Sequence, residues 1–95
     1  MFDLSELKPA HFDDLLGKQI AIVDSALAFT LVAVDRLKSP SPRAQPFSLT
    51  FQAPAQARGT QGIYRLQHPQ LGVLDIFLVP IAPQDGRPQF EAVFN

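Results

Sequence analysis

The stretch from Gly62 to Asn95 constrains the fold most. It reads GIYRLQHPQLGVLDIFLVPIAPQDGRPQFEAVFN, three apolar runs separated by two turn-forming clusters. Ile63 to Gln67 and Val73 to Ile81 are rich in β-branched, aromatic and leucine side chains, which suit a pleated, half-buried surface. Between them His68-Pro69-Gln70-Leu71-Gly72 supplies a turn: Pro69 has its φ preset, and Gly72 can take the left-handed conformation that returns the chain. Two registers are open. A five-residue loop sets Arg65 opposite Asp75 and gathers Tyr64, Leu66, Leu74, Ile76 and Leu78 on one face, whereas a four-residue loop, Pro69 to Gly72, sets Leu66 opposite Asp75. The first separates polar from apolar side chains and is preferred. Pro80 lacks a ladder donor, which predicts weakened pairing or a bulge there. Gln84-Asp85-Gly86 reads as a second turn, and Phe90, Ala92 and Phe94 alternate with Glu91, Val93 and Asn95 in a further strand.

Ninety-five residues make one domain, residues 1–95. A chain of this size buries only roughly 60–65% of its unfolded surface, so its core has to be small and dense. Eight Phe and one Tyr, with Leu, Ile and Val, can supply that core without a staple. The absence of Cys excludes disulfides, thiol chemistry and thiolate metal sites, and gives an intracellular, cytoplasmic expectation. Eight basic against nine acidic residues give a net charge of −1 with no run of like charges, which argues against nucleic acid as a partner. The N-terminal MFDLSELKPAHFDD carries acids and no apolar core of signal-peptide length. Apolar runs are strand-length, far below the ~20 residues that span a bilayer as helix, so no membrane partner is expected.

Before the organising stretch, residues 9–16 predict one short helix, with Pro9 at a first helical position, Phe12, Leu15 and Leu16 on one face and Gly17 at the end. Gln19 to Asp24 and Leu27 to Leu37 predict a hairpin turning at Asp24-Ser25-Ala26. In its second strand Leu27, Phe29, Leu31 and Ala33 share one face and Ala28, Thr30, Val32 and Val34 the other, as in a strand covered on both sides. Lys38 to Pro46, with its three prolines, is a surface loop. Phe47, Leu49 and Phe51 alternate with Ser48, Thr50 and Gln52 in a half-buried strand, and Ala53 to Gln61 is a second irregular segment. The expected fold is mainly β: a small six-stranded antiparallel barrel or sandwich with one short N-terminal helix.

QGIYRLQHPQLG, followed by FLVPIAP and FEAVFN, with PFSLTF as a middle strand, resembles a family of small uncharacterised bacterial proteins, domain of unknown function 6916. The resemblance covers most of the chain. It implies no catalytic residues. It does imply an assembly or accessory role, since relatives are associated with phage-tail-collar-like proteins.

The residues that carry chemistry are few. His11, Asp13 and Asp14 have metal-ligand types, and His11 and Asp14 share a helix face, but two ligands do not make a site and a solvated face accounts for the same letters. Arg65, His68 and Asp75 form a weak candidate polar site on the organising hairpin. Ser25, His68 and Asp75 can be drawn as a triad, yet no nucleophile elbow surrounds Ser25, so a turn histidine and a cross-strand ion pair explain them better. Gly59 and Gly62 lack the rest of a phosphate loop, and Tyr64 and the phenylalanines lack the basic groove of a base-stacking platform. No catalytic residue, metal or cofactor is therefore assigned. The favoured function is a non-enzymatic protein-interaction or assembly module. The alternative is a small-ligand-binding β-barrel or enzyme with a site at the barrel end, which Phe29, Phe47, Phe51, Phe90 and Phe94 would largely fill. In the preferred register Ile63, Phe77 and Val79 are left on the face away from the core, with Val32, Val34 and Val93 also directed outward. Ile63, Phe77 and Val79 are thus the candidate interface for a homo-oligomer or a protein partner.

Overall fold

Strict alternation in one central strand decides which side of the sheet is inside. The computed structural model describes residues 3–38 and 45–95. Its strands are β1 (Gln19–Ala21), β2 (Ala28–Arg36), β3 (Phe47–Gln52), β4 (Gly62–His68), β5 (Gly72–Gln84) and β6 (Arg87–Phe94), preceded by a 3-10 turn at Leu4–Glu6 and a short helix α1 (Ala10–Asp13). In β3, Phe47, Leu49 and Phe51 are fully buried, and their partners on β6 carry the inward set Phe90, Ala92 and Phe94.

The strands run antiparallel in the order β1-β2-β3-β6-β5-β4. The two ends of this sheet meet through the bridge Ile22–Leu66 and the bond from Val23 N–H to the Arg65 carbonyl at 2.8 Å. The sheet is thus a nearly closed barrel, and of the two layouts the sequence leaves open it is the barrel that forms. Curling the sheet places Phe29, Leu31, Leu66, Leu74, Ile76, Leu78 and the β3/β6 set in one interior. Aromatic rings fill it: Phe29 stacks on Phe90 at 5.3 Å and Phe47 on Phe94 at 4.7 Å. Such pairs contribute roughly 0.5–1.5 kcal/mol beyond their burial.

The organising hairpin takes the preferred register, Arg65 opposite Asp75 and Leu66 opposite Leu74. Pairing continues to His68 and Gly72, leaving a tight loop at Pro69, Gln70 and Leu71 that Gly72 enters with φ +83°. The second turn has Asp85 (φ 54°) and Gly86 (φ 73°) at its centre, the paired left-handed residues whose twist matches that of the flanking strands. Pro80 does not interrupt pairing with β6. It lies opposite Phe90, and the register shifts later, between Ile81 and Gln84. Beyond Leu78 strand β5 has no further β4 partner, so a residue without an N–H is tolerated on that open edge.

Three expectations are modified by tertiary packing. A bulge between Leu31 and Ala33 puts Val32 outside and shifts the alternation, so Val34, opposite the inward Leu49, packs against the core instead of pointing out. Helix α1 is shorter than residues 9–16. Phe12 and Leu15 are buried but Leu16 is 47% exposed, because the chain leaves helical geometry at Asp14 and Gly17 (φ +80°) turns it into the sheet. Gly17 N–H then donates to the Leu31 carbonyl at 2.7 Å. The first strand ends at Ala21 rather than Asp24, which adopts φ 61° in the turn; there the Leu27 N–H donates to Ser25 Oγ. The loop expected at Lys38 to Pro46 falls largely outside the described residues.

Both barrel ends are covered. At one, Leu7 and Phe12 are buried, with Phe12 against Phe47 (6.3 Å) and edge-on to His68 (5.3 Å). At the other, the segment after β3 folds inward: Ala53 is buried, Ala57 packs on the core, and the Tyr64 hydroxyl donates to the Thr60 carbonyl.

Candidate functional site

The structure separates the three residues of the candidate polar site. Arg65 and Asp75 lie directly opposite one another on the outer face, Arg65 Nε 3.5 Å from Asp75 Oδ1 and its Nη1 3.7 Å from Asp24 Oδ2. All three side chains are about half exposed or more, where an ion pair contributes on the order of 0–1 kcal/mol. His68 is three residues along β4 and therefore faces inward, 2% exposed. Its Nδ1 accepts from the N–H groups of Gln70 and Leu71 at 3.1 and 3.2 Å. That fixes Nε2 as the protonated nitrogen, which donates to the His11 carbonyl at 2.8 Å. Both ring nitrogens are consumed in tying the β4–β5 turn to helix α1. Ser25 meanwhile is exposed in the β1–β2 turn, so the Ser25/His68/Asp75 drawing has no counterpart in space.

The N-terminal cluster is likewise committed to structure. His11 Nδ1 accepts from the Lys8 N–H at 3.0 Å, and Asp13 forms a two-point pair with Arg36 at 2.8 and 3.4 Å, which holds the guanidinium more firmly protonated than usual. Among the described residues no group of three or more His, Asp or Glu is arranged to hold a metal ion.

What remains is apolar. Ile63 and Phe77 are cross-strand partners on the outer face of β4 and β5, 70% and 52% exposed, and Val79, two residues further along β5, is 39% exposed. Val93 on β6 is diagonal to Val79 through the Val79–Glu91 pair, and Ile81 continues the same line. These two also belong to the face. Period-two counting from Phe77 reaches Ile81, and its membership was legible; placing Val93 beside Val79 requires the β5–β6 register. The same outer face carries the Arg65/Asp75/Asp24 charges next to Ile63 and Phe77.

A nearly closed six-stranded barrel with a filled interior, plugged ends and an apolar outer face defines a small all-β domain whose surface, not its interior, is free to act. The chain belongs to the family described as Domain of unknown function (DUF6916), whose model matches residues 7–94. Neither a curated protein nor a solved structure matches it. No helix among the described residues is long and apolar enough to cross a membrane.

Proposed function

We propose that this domain is a non-enzymatic assembly module that self-associates through the outer face centred on Ile63, Phe77 and Val79. The observation that supports the reading is the directly opposed Ile63–Phe77 pair, exposed although the core already holds Leu66, Leu74, Ile76 and Leu78 on the other face of the same two strands. Solvated positions of an antiparallel strand are ordinarily polar, and an apolar cluster on such a face is commonly an interface. A second copy is the occupant favoured by charge. Arg65 stands beside the apolar pair with Asp24 and Asp75, so a two-fold related copy can set its own cation against these carboxylates while Ile63 and Phe77 meet their equivalents. An accessory place in phage-tail-like assemblies is part of this reading and is supported by the family resemblance.

Light scattering on a sizing column tests it. Wild type is expected above the mass of one chain, 10.5 kDa. Phe77→Arg should return it to a monomer with an unchanged circular-dichroism spectrum. A wild-type monomer at high micromolar concentration, or a Phe77→Arg variant of unchanged mass, overturns the reading.

A further inference from the structure

A second surface, which runs from β1 to β6 and meets the apolar face where Gln89 pairs with Ile81, has the opposite chemistry. The ladders bring Gln19 opposite Thr30, Thr30 opposite Gln52 and Gln52 opposite Gln89, so that one row of uncharged polar residues crosses β1, β2, β3 and β6 with about 4.8 Å between neighbouring strands. Alternation puts the row on the outer face, since Ile20, Phe29, Phe51 and Phe90 beside it point inward. The segment after β3 rises next to it and walls a cleft of about 320 Å³, lined by Gln19, Thr30 and Gln52 of the row, by Ala55 and Gln56 of the segment and by Arg87. That volume lies within the range of small-molecule sites.

Three features of this cleft point to a ligand. The side chains of Gln19, Thr30, Gln52 and Gln56 form no hydrogen bond with one another or with any other described residue, so their donors and acceptors are available. Gln89, last in the row, is only 4% exposed and its carboxamide also lacks a partner among the described residues; it lines an adjoining depression that shares Ala55 with the cleft. Buried amides are ordinarily satisfied by the protein or by a bound water, ion or ligand, so this carboxamide has bonding capacity for a molecule that enters. Finally, the cleft is lined by one cation, Arg87, which forms no ion pair among the described residues, and by no carboxylate.

We propose that this cleft binds a small hydroxylated carboxylate, a hydroxy acid or sugar acid, with the carboxylate on Arg87 and the hydroxyls on Gln19, Thr30, Gln52 and Gln56. A guanidinium presents two parallel N–H donors that match a carboxylate. Carboxamides and a threonine hydroxyl each offer both a donor and an acceptor, which is what sugar-type hydroxyls require. A metal ion does not fit a site without a carboxylate. A polyphosphate does not fit a single cation, and an apolar molecule could rest on Ala28, Ala53, Pro54 and Ala55 but would leave Arg87 and the amides without partners. The site is independent of the Ile63/Phe77 face, and the two readings fail separately.

The experiment is an amide NMR titration of the full chain with D-glucuronate, alongside D-glucose, which lacks the carboxylate, and propionate, which lacks the hydroxyls. Saturable shifts are expected at the backbone and side-chain amides of Gln19, Gln52, Gln56 and Gln89, with glucuronate binding at least about tenfold more tightly than either control. Arg87→Met and Gln52→Leu should each weaken it by about tenfold or more. If Gln52→Leu perturbs the whole spectrum, Gln56→Ala reads the same contact from the loop side. Phe77→Arg should leave the titration unchanged. Absence of saturable shifts with glucuronate overturns the proposal, as does equal binding of propionate or glucose, or an affinity indifferent to both Arg87→Met and the glutamine substitution.

Discussion

The two faces of strand β5 differ in what their apolar residues achieve. Leu74, Ile76 and Leu78 on the inner face are 2% exposed or less, while Phe77, Val79 and Ile81 on the outer face are 39–52% exposed. The letters alternate between equally hydrophobic sets, so hydrophobicity alone does not assign a side chain to the interior. Closure of the sheet through Ile22 and Leu66 does, by giving one face of every strand a common centre. What the contrast teaches is that the inner set serves stability, whereas the outer set is surplus to it and is available for contact with another molecule.

That difference can be broken most easily where it is largest. Leu78→Ala should cost about 2–5 kcal/mol, as large-to-small changes in a dense core do, measured by urea unfolding. Next in size is the inward polar residue of β4. His68→Ala leaves the N–H groups of Gln70 and Leu71 and the His11 carbonyl without their partner, and should cost about 1–3 kcal/mol. Loosening of α1 should accompany it, seen as faster amide exchange at Phe12 and Leu15, whose N–H groups bond within that segment.

Smaller effects belong to the outer face. Arg65→Ala removes an exposed pair with Asp75 and should cost no more than about 1 kcal/mol, less in high salt. Phe77→Ala, read in the monomer at low concentration, should change stability by no more than about 0.5 kcal/mol, like other surface changes. A loss comparable with that of Leu78→Ala would erase the distinction between the two faces. The last effect appears only in alkali. Burial pushes the Tyr64 hydroxyl above its ordinary value of 10.0, and its proton is donated to the Thr60 carbonyl. A group whose pKa is raised on folding contributes stability below its unfolded value and loses it as pH rises through the folded one. Wild type should therefore weaken above about pH 10, and Tyr64→Phe should flatten that fall in a pH series of thermal melts.

Much of this was legible in the residues. Proline, glycine and the Gln84-Asp85-Gly86 cluster mark turns through backbone geometry, a property of each residue, and period-two alternation favours the register that the organising hairpin takes, because a one-residue slip would exchange its faces. The strand Phe47–Gln52 was legible to the residue for the same reason. Where alternation failed, at Val34, an extra residue in one strand is accommodated only relative to its partner, and a single strand carries no sign of it. His68 shows the same limit for chemistry. Its letter, beside Arg65 and Asp75 in the chain, suggests a polar cluster; its position on the opposite face makes it a core strut.

The sequence by itself determined the β class, the turns and the existence of more apolar surface than one interior can hold, and narrowed the hairpin to two registers, since these depend on contacts close along the chain. Only the tertiary structure decided that the sheet closes, that α1 and the segment after β3 cover its ends, and that Gln19, Thr30, Gln52 and Gln89 stand in one row. Those four residues come from four strands spread over the chain, and what aligns them is hydrogen-bonded pairing between strands, a relation that no stretch of sequence contains.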